Sequence, residues 1–440
     1  MKILILSQYP WKKDNSFGNT YSNIFGKIEN IEIANIYMME GMPDYEPVVK
    51  HYYQIPENEV FHSSLKPWKK SKGAGRVVVL KDQEFNHGRN IEIKVGNSWY
   101  KRLFEFGKKH HWSLLFLARE LSWKFGRINY NGLMEFVNEY HPDIFFLPFI
   151  NIYYTNRLAL YIKKNYDIPM VSYMAMDHYS LKRFSLNPLF WIDRFFKRRM
   201  IRNLSRHIEC FYCISNKLNL ELEKSLGIPC KILYKIPDTQ RSAEPYKENH
   251  GLTKFLYTGN IYSNRWKTLS LLATALKEED FGHLDIYTAN PITKDIERAL
   301  NINGFSEIHP PVSQEEVIRL QNDADVLVHA ESFDLKNKLL VRCAISTKIM
   351  DYLSVGRSIL AIGPKDISSI EYLAGDDLAF IANSKNEVTE IVKLIKNNPD
   401  LLVEYSNKGK KLIGQKYNPI DLRKGLYNDL RQFIDQYGKN

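Results

Sequence analysis

The stretch STKIMDYLSVGRSILAIGP, Ser346 to Pro364, reads as a helix as far as Gly356 and as a buried strand after it. Ser346 and Thr347 fit a helix N-cap, and Lys348 places a cation beside the same terminus. Asp351 falls on the next turn, on roughly the same side as Thr347 and Lys348. A helix N-terminus presents unpaired N–H groups and the positive end of a dipole, which suits a phosphate. A carboxylate one turn on can accept two hydrogen bonds from neighbouring sugar hydroxyls. Together the two would hold a nucleotide. The plainer reading of the same residues is a capped helix with Lys348 and Asp351 solvated.

Working outward, strands and helices alternate on both sides. TKFLYTGNIYSNRWKTLSLLATALKEE is strand, loop and helix, and HLDIYTA, ADVLVHA and DDLAFIAN are further strands. SQEEVIRLQND and NEVTEIVKLIKN are helices between them, and the last residues of the chain look helical too. Toward the N-terminus KILILS, IEIANIYM, the end of HPDIFFLPF, MVSYMAMDHY and ECFYCISN are strands separated by helical patterns. Alternation of this kind implies parallel, doubly wound sheets, an α/β class. The polar stretch Gln240–Gly251 is the linker between two halves of similar architecture. The expected division is 1–245, 252–418 and a C-terminal helix, 419–440, packing back on the first domain. Within the first domain, about 43–130 reads as a basic, aromatic insertion.

The bulk properties agree with two soluble domains. The chain has 440 residues, 44% hydrophobic and 25% charged, which is ordinary for globular proteins. No apolar run approaches the roughly 20 residues of a membrane span, and MKILILSQYP reads as a first strand rather than a secretory leader. Four cysteines do not make a disulfide framework, so a reducing, cytoplasmic setting is expected. Cys210 and Cys213 form a C-x-x-C, but on a strand residues three apart face opposite sides. The net charge of +11 is lopsided: residues 1–250 hold 37 Lys and Arg against 25 Asp and Glu, and the remainder 24 against 25. The first half therefore expects an anionic partner.

The C-terminal half resembles the donor domain of bacterial GT-B glycosyltransferases, particularly glycosyltransferase family 4. FLYTGNIYSNRWKTLSLLATAL resembles the family's strand–Gly-Arg–loop–Lys–helix block, with Gly259 at its glycine. ADVLVHAESF resembles the strand before an active-site loop, and STKIMDYLSVGRSILAIGP the Ser-x-Lys…Glu-Tyr block. In the first half ECFYCISNKLNLELEKSLGIPCKILYKIPD and MVSYMAMDHY carry softer matches. The resemblance implies the GT-B fold: two Rossmann-like doubly wound parallel-sheet domains facing a cleft.

It also implies roles. The diphosphate-binding arginine falls at Asn260, a departure, and the lysine at Lys267, with Arg265 close by. Ser346, Thr347 and Lys348 become the diphosphate cradle, and Asp351 stands for the ribose-binding glutamate. The family's other glutamate falls at Cys343, a second departure, with His329 and Glu331 as substitutes nearby. Asp177 and His178, ending a strand, would face the cleft, His178 touching sugar or diphosphate and Asp177 serving as base if the reaction inverts. Gly18 matches a glycine loop near the acceptor. No metal or other cofactor is expected, since cations and a helix dipole stabilise a departing diphosphate. His110-His111 is no metal pair, because adjacent side chains diverge on a helix.

SWYKRLFEFGKKHHWSLLFLARELSWKFGRI and SLKRFSLNPLFWIDRFFKRRMIRNL interleave aromatics with Lys and Arg, as membrane-surface segments do. A core-packed helix with a solvated basic face is the alternative for the second. Nucleic acid is not expected, for want of a recognition motif.

The expected protein is a cytoplasmic glycosyltransferase, peripheral on the inner face of the plasma membrane. It would move a sugar from a nucleotide-diphosphate donor, UDP favoured, to a hydroxyl of a lipid-linked glycan of capsule, O-antigen or exopolysaccharide, with retention favoured. The rival expectations are a catalytically silent scaffold of the same fold, and a hydride-transferring dinucleotide enzyme, which lacks any G-x-G-x-x-G after a strand.

Overall fold

The computed structural model describes residues 1–65, 68, 72–80, 113–149, 151–238 and 252–438. The linker at 240–251, the pair His110-His111 and about half of the first basic, aromatic stretch, 98–112, lie outside the described residues.

Two sheets organise the chain. The first has eight strands in the order β4-β3-β2-β1-β5-β6-β7-β8. These are β1 Lys2–Ser7, β2 Glu32–Tyr37, β3 Val49–Gln54, β4 Arg76–Val78, β5 Ile144–Pro148, β6 Met170–Met174, β7 Cys210–Cys213 and β8 Cys230–Ile232. All pairings are parallel except that of β3 with β4. The second sheet has six parallel strands in the order β11-β10-β9-β12-β13-β14. These are β9 Lys254–Thr258, β10 His283–Tyr287, β11 Ser306–His309, β12 Val326–Ala330, β13 Ser358–Ile362 and β14 Phe380–Ala382.

Strands β5, β6, β12 and β13 are buried along their whole length, as parallel strands covered by helices on both faces must be. That is why they read in sequence as unbroken apolar runs. Each sheet reverses its winding once, between β1 and β5 in the first and between β9 and β12 in the second. At such a point the connections diverge to opposite faces and leave a crevice at the strands' carboxyl ends.

One difference from the sequence expectation concerns the first domain. Part of the supposed insertion belongs to the sheet itself, because β3 pairs with β2 and β4 with β3. Its pattern was blurred because Lys50 and His51 of β3 are exposed. Cys210 and Cys213 lie in different core clusters, on opposite faces of β7, as a strand requires.

The final helix, Pro419–Tyr437, lies against the first domain. Lys231 pairs with its Asp429 at 2.7 Å, and the Tyr437 hydroxyl donates to Asp167 at 2.5 Å. Among the described residues no helix is long and apolar enough to cross a membrane.

Gly356 ends the helix Thr347–Val355 in the left-handed region, with φ 69°. Its N–H donates to the Tyr352 carbonyl at 3.1 Å, and its own carbonyl accepts from the Ser406 hydroxyl at 2.6 Å. A Cβ there would lie 2.3 Å from the Lys410 side chain, which can give way, so the backbone conformation carries the cost. Gly356→Ala is expected to destabilise the protein by about 1–2 kcal/mol, read as a lower thermal midpoint with unchanged far-ultraviolet circular dichroism.

Candidate functional site

The crevice of the second sheet is built from the ends of β9 and β12 and from two helices that begin there. After β9 the chain turns at Gly259, with φ 145°, where the N–H donates to the Tyr287 carbonyl at 2.8 Å. Asn260 shapes the next turn, since its Oδ1 accepts from the Tyr262 N–H at 2.7 Å. Ser263 and Asn264 are both left-handed, and the helix Arg265–Glu278 starts directly after them. This tight entry aims Arg265 at the neighbouring strand end.

There Arg265 meets Glu331, the residue after β12, in a two-pronged pair at 2.8 and 3.0 Å. The Thr268 hydroxyl donates to the Glu331 carbonyl at 2.9 Å. Burial alone would lower the guanidinium's pKa, but Glu331 outweighs it and raises it, so Arg265 stays charged. Glu331 is thus the residue that positions a half-buried cation, a role its place in the sequence did not disclose.

Lys348 approaches from the helix Thr347–Val355. Its Nζ donates to the Thr258 carbonyl and lies 5.5 Å from the centre of the Tyr257 ring. The space for it exists only because residue 259 has no side chain: a Cβ there would stand 1.5 Å from Nζ. Burial, followed by the charge of Arg265, pushes the Lys348 pKa down to about 8. Ser346 occupies the N-cap position but makes no capping bond from its side chain, and it and Thr347 are partly exposed at the helix start.

His329 on β12 is buried, its pKa pushed down to about 4 by burial, so at neutral pH the ring is uncharged. Its Nε2 has no protein partner. Beside the Gly259 turn, an open cleft of about 490 Å³ lies over the ends of β10 and β11, lined in part by Thr288, Asn290, His309 and Pro310. Asn290 ties it to the turn by accepting from the Ile261 N–H at 2.6 Å.

The remaining expected residues are placed differently. Lys267 is exposed, its Nζ 5.5 Å from the centre of the Trp266 ring, so Arg265, half-buried, and not Lys267 is the cation of this helix turned to the strand end. Asp351 is engaged by Lys235, whose Nζ lies 2.7 and 2.8 Å from its two oxygens. Gly18 is buried in the helix after β1, where a Cβ would come within 2.0 Å of the Lys12 carbonyl oxygen. That close approach accounts for the glycine without a ligand.

Asp177, the expected base, is heavily engaged by the protein itself. Five donors converge on its carboxylate: the N–H groups of Tyr179 and Ser180, the Ser180 hydroxyl, Arg194 and Arg342. Burial works to raise its pKa, but Ser180 and the two arginines hold it at about 2. No lone pair is left for an acceptor's proton. The neighbouring His178 is held neutral by burial, with its pKa at about 4 and its enclosed Nδ1 unpartnered.

Arg342 was not singled out in the sequence and joins the two domains. It reaches Asp177 at 2.9 Å and Glu221 at 2.6 Å through each of two nitrogens. Next to it Cys343 is 1% exposed and packs in the first domain's core, while its carbonyl accepts from Ser215 at 2.6 Å. Burial pushes its thiol up to about 12, so it is no substitute for an acid. Among the described residues no three His, Cys, Asp or Glu are grouped to hold a metal.

No protein-family model matches the chain. No curated protein matches it either. Solved structures do. A sucrose-phosphate synthase from Thermosynechococcus elongatus superposes with a TM-score of 0.60 at 9% identity, covering 99% of both chains. A glycosyltransferase from Rickettsia africae gives 0.59 at 9%, over 98% of this chain and 99% of its own. An α,α-trehalose-phosphate synthase (UDP-forming) from Burkholderia xenovorans, in complex with glucose-6-phosphate, gives 0.56 at 8%, over 98% and 100%. The chain has the two-domain GT-B fold of these glycosyltransferases.

Asp177 and Arg342 are about 5% and 10% exposed at their side chains. Asp177→Asn, which leaves two arginines short of their counter-ion, is expected to cost about 3–5 kcal/mol. Because the Asp177 pKa is depressed, its contribution is fully present above the unfolded value near 4 and is lost as pH falls toward about 2. Thermal midpoints of the wild type and Asp177→Asn should therefore differ most above pH 5 and converge in strong acid.

Proposed function

We propose that this protein is a glycosyltransferase that takes a sugar from a nucleoside-diphosphate donor. The observation that carries the reading is the pair of cations, Arg265 and Lys348, at the crevice of the second sheet beside a turn that only glycine can make. Transfer breaks the bond from the sugar's anomeric carbon to the diphosphate, whose oxygen keeps the electron pair. The developing charge needs fixed cations and helix-start N–H groups. Arg265, Lys348 and the start of the helix Thr347–Val355 supply both. The cleft over β10 and β11 has room for the base, and Asp351 serves the ribose by exchanging its contact with Lys235.

UDP is the favoured nucleotide, in keeping with a carboxylate for two ribose hydroxyls and with one structural neighbour named as UDP-forming. The acceptor is a hydroxyl of a lipid-linked glycan at the inner face of a plasma membrane, in cell-surface polysaccharide synthesis. The basic excess of the first half supports an acceptor held at an anionic surface. Retention is the favoured outcome. Inversion needs a free base opposite the leaving group, and Asp177 is already held by Arg194 and Arg342.

Isothermal calorimetry tests the donor. UDP or a UDP-sugar should bind the wild type, and Lys348→Ala, Asp351→Ala and Gly259→Ala, which evicts Lys348, should each weaken binding by about tenfold or more. Absence of binding by UDP- and GDP-sugars alike would sink the reading. The Lys348 pKa of about 8 adds a second check. Affinity should fall as pH rises past that value, and binding at pH above 8 should take up a proton, seen as a heat that varies with the buffer's ionisation enthalpy.

A further inference from the structure

The helix Pro188–Ser205 buries Ile201 and Leu204 on one side and leaves its other side uncovered. Leu189, Ile192, Phe195 and Phe196 are between 53% and 64% exposed. Helical spacing puts Leu189, Ile192 and Phe196 on one stripe with Arg199. The loop before the helix continues the patch, with Leu181 57%, Phe184 60% and Leu186 88% exposed. A contiguous apolar surface of this kind on a globular protein marks a place where something docks.

The exposure is built into the fold. Arg194, 4% exposed, donates to the Ser180 carbonyl at 2.9 Å and binds the loop to the helix. Arg202 donates to the Tyr179 hydroxyl at 2.7 Å, Arg198 lies 4.2 Å from that ring's centre, and Trp191 donates to the Ser185 carbonyl at 2.7 Å. The apolar residues are thus presented on a braced loop and helix.

Charge selects the partner. Residues 181–206 carry eight Lys and Arg and one acid, Asp193. Two copies meeting through this face would set like charges against each other. An apolar tip with a basic collar matches a bilayer of anionic lipid, where the rings enter the acyl boundary and the cations stay among the headgroups. We infer that the Leu181–Arg206 unit is the surface by which this protein docks on an anionic lipid bilayer. The loop springs from the carboxyl end of β6, where Ala175 and Met176 lead into Asp177, the anion held by Arg342 from the other domain. Docking there sets the domain junction at the membrane. The inference deepens the membrane-borne acceptor of the proposed function, but its own evidence is the surface.

Vesicle flotation without any sugar donor tests it, so its failure and that of the transfer reading are separate results. The wild type should float with mixed phosphatidylglycerol and phosphatidylcholine vesicles at low salt and not with phosphatidylcholine alone. Phe195→Ser combined with Phe196→Ser should cut partitioning by about tenfold or more, and Arg199→Glu should weaken it too. Thermal midpoints are read in parallel. If the double variant does not fold, Leu186→Ser, at the most exposed position, replaces it. No flotation of the wild type at low salt overturns the inference, as does equal flotation of the folded variants. Sedimentation showing a dimer that these variants dissociate, without vesicle binding, overturns it in favour of a second copy.

Discussion

One guanidinium, that of Arg342, is shared by both halves of the molecule. It leaves the second domain just before the helix Thr347–Val355 and ends between Asp177 and Glu221 of the first. Burying a charge in such a place is tolerable only beside counter-charges, and here two carboxylates and the Ser180 hydroxyl take the two terminal nitrogens, while Nε has no partner. Because Arg342 lies six residues ahead of Lys348, the position of that helix start is referred to the first domain. The packing of Cys343 beside it has the same effect, an apolar plug where an acid would have been a solvated group.

The cation site shows a related economy of charge. Two cations in one crevice repel each other, and the fold answers them differently. Arg265 receives a paired carboxylate in Glu331, while Lys348 donates to a carbonyl and faces an aromatic ring, with Asp351 and Glu331 acting on it at longer range. The lysine is therefore the group whose charge is least settled in the free protein, as its depressed pKa records. A phosphate arriving between them meets one fixed charge and one that it stabilises itself.

How much of this was legible in the sequence depends on the range of the interaction. Buried parallel strands announced themselves as ILIL, IFFLP and VLVHA, because burial on both faces removes alternation. Gly227 and Gly356, each left-handed, marked helix ends from local chemistry alone. Lys348, Glu331 and Arg265 were visible as charges at strand ends and helix starts. What could not be seen were partners far along the chain: Lys235 lies 116 residues from Asp351, and Arg342 lies 165 from Asp177. Which of Arg265 and Lys267 meets Glu331 was hidden for a different reason. Two positions on a helix differ by about 200°, so only one can face Glu331, and which one depends on the turn at Ser263 and Asn264.

The C-terminal helix has a consequence for how the chain is made. Asp429 meets Lys231 across 198 residues, and Tyr437 meets Asp167 across 270. Leu426 and Leu430 belong to the same apolar cluster as Cys210, Tyr212 and Leu233 of the first domain. At synthesis rates of about 5–20 residues per second, the interval between these partners leaving the ribosome is roughly 10–55 s. Throughout it the first domain, though otherwise translated, lacks one of its covering helices. A domain translated early is thus completed by a helix translated much later, and a chain without that helix has an open apolar face.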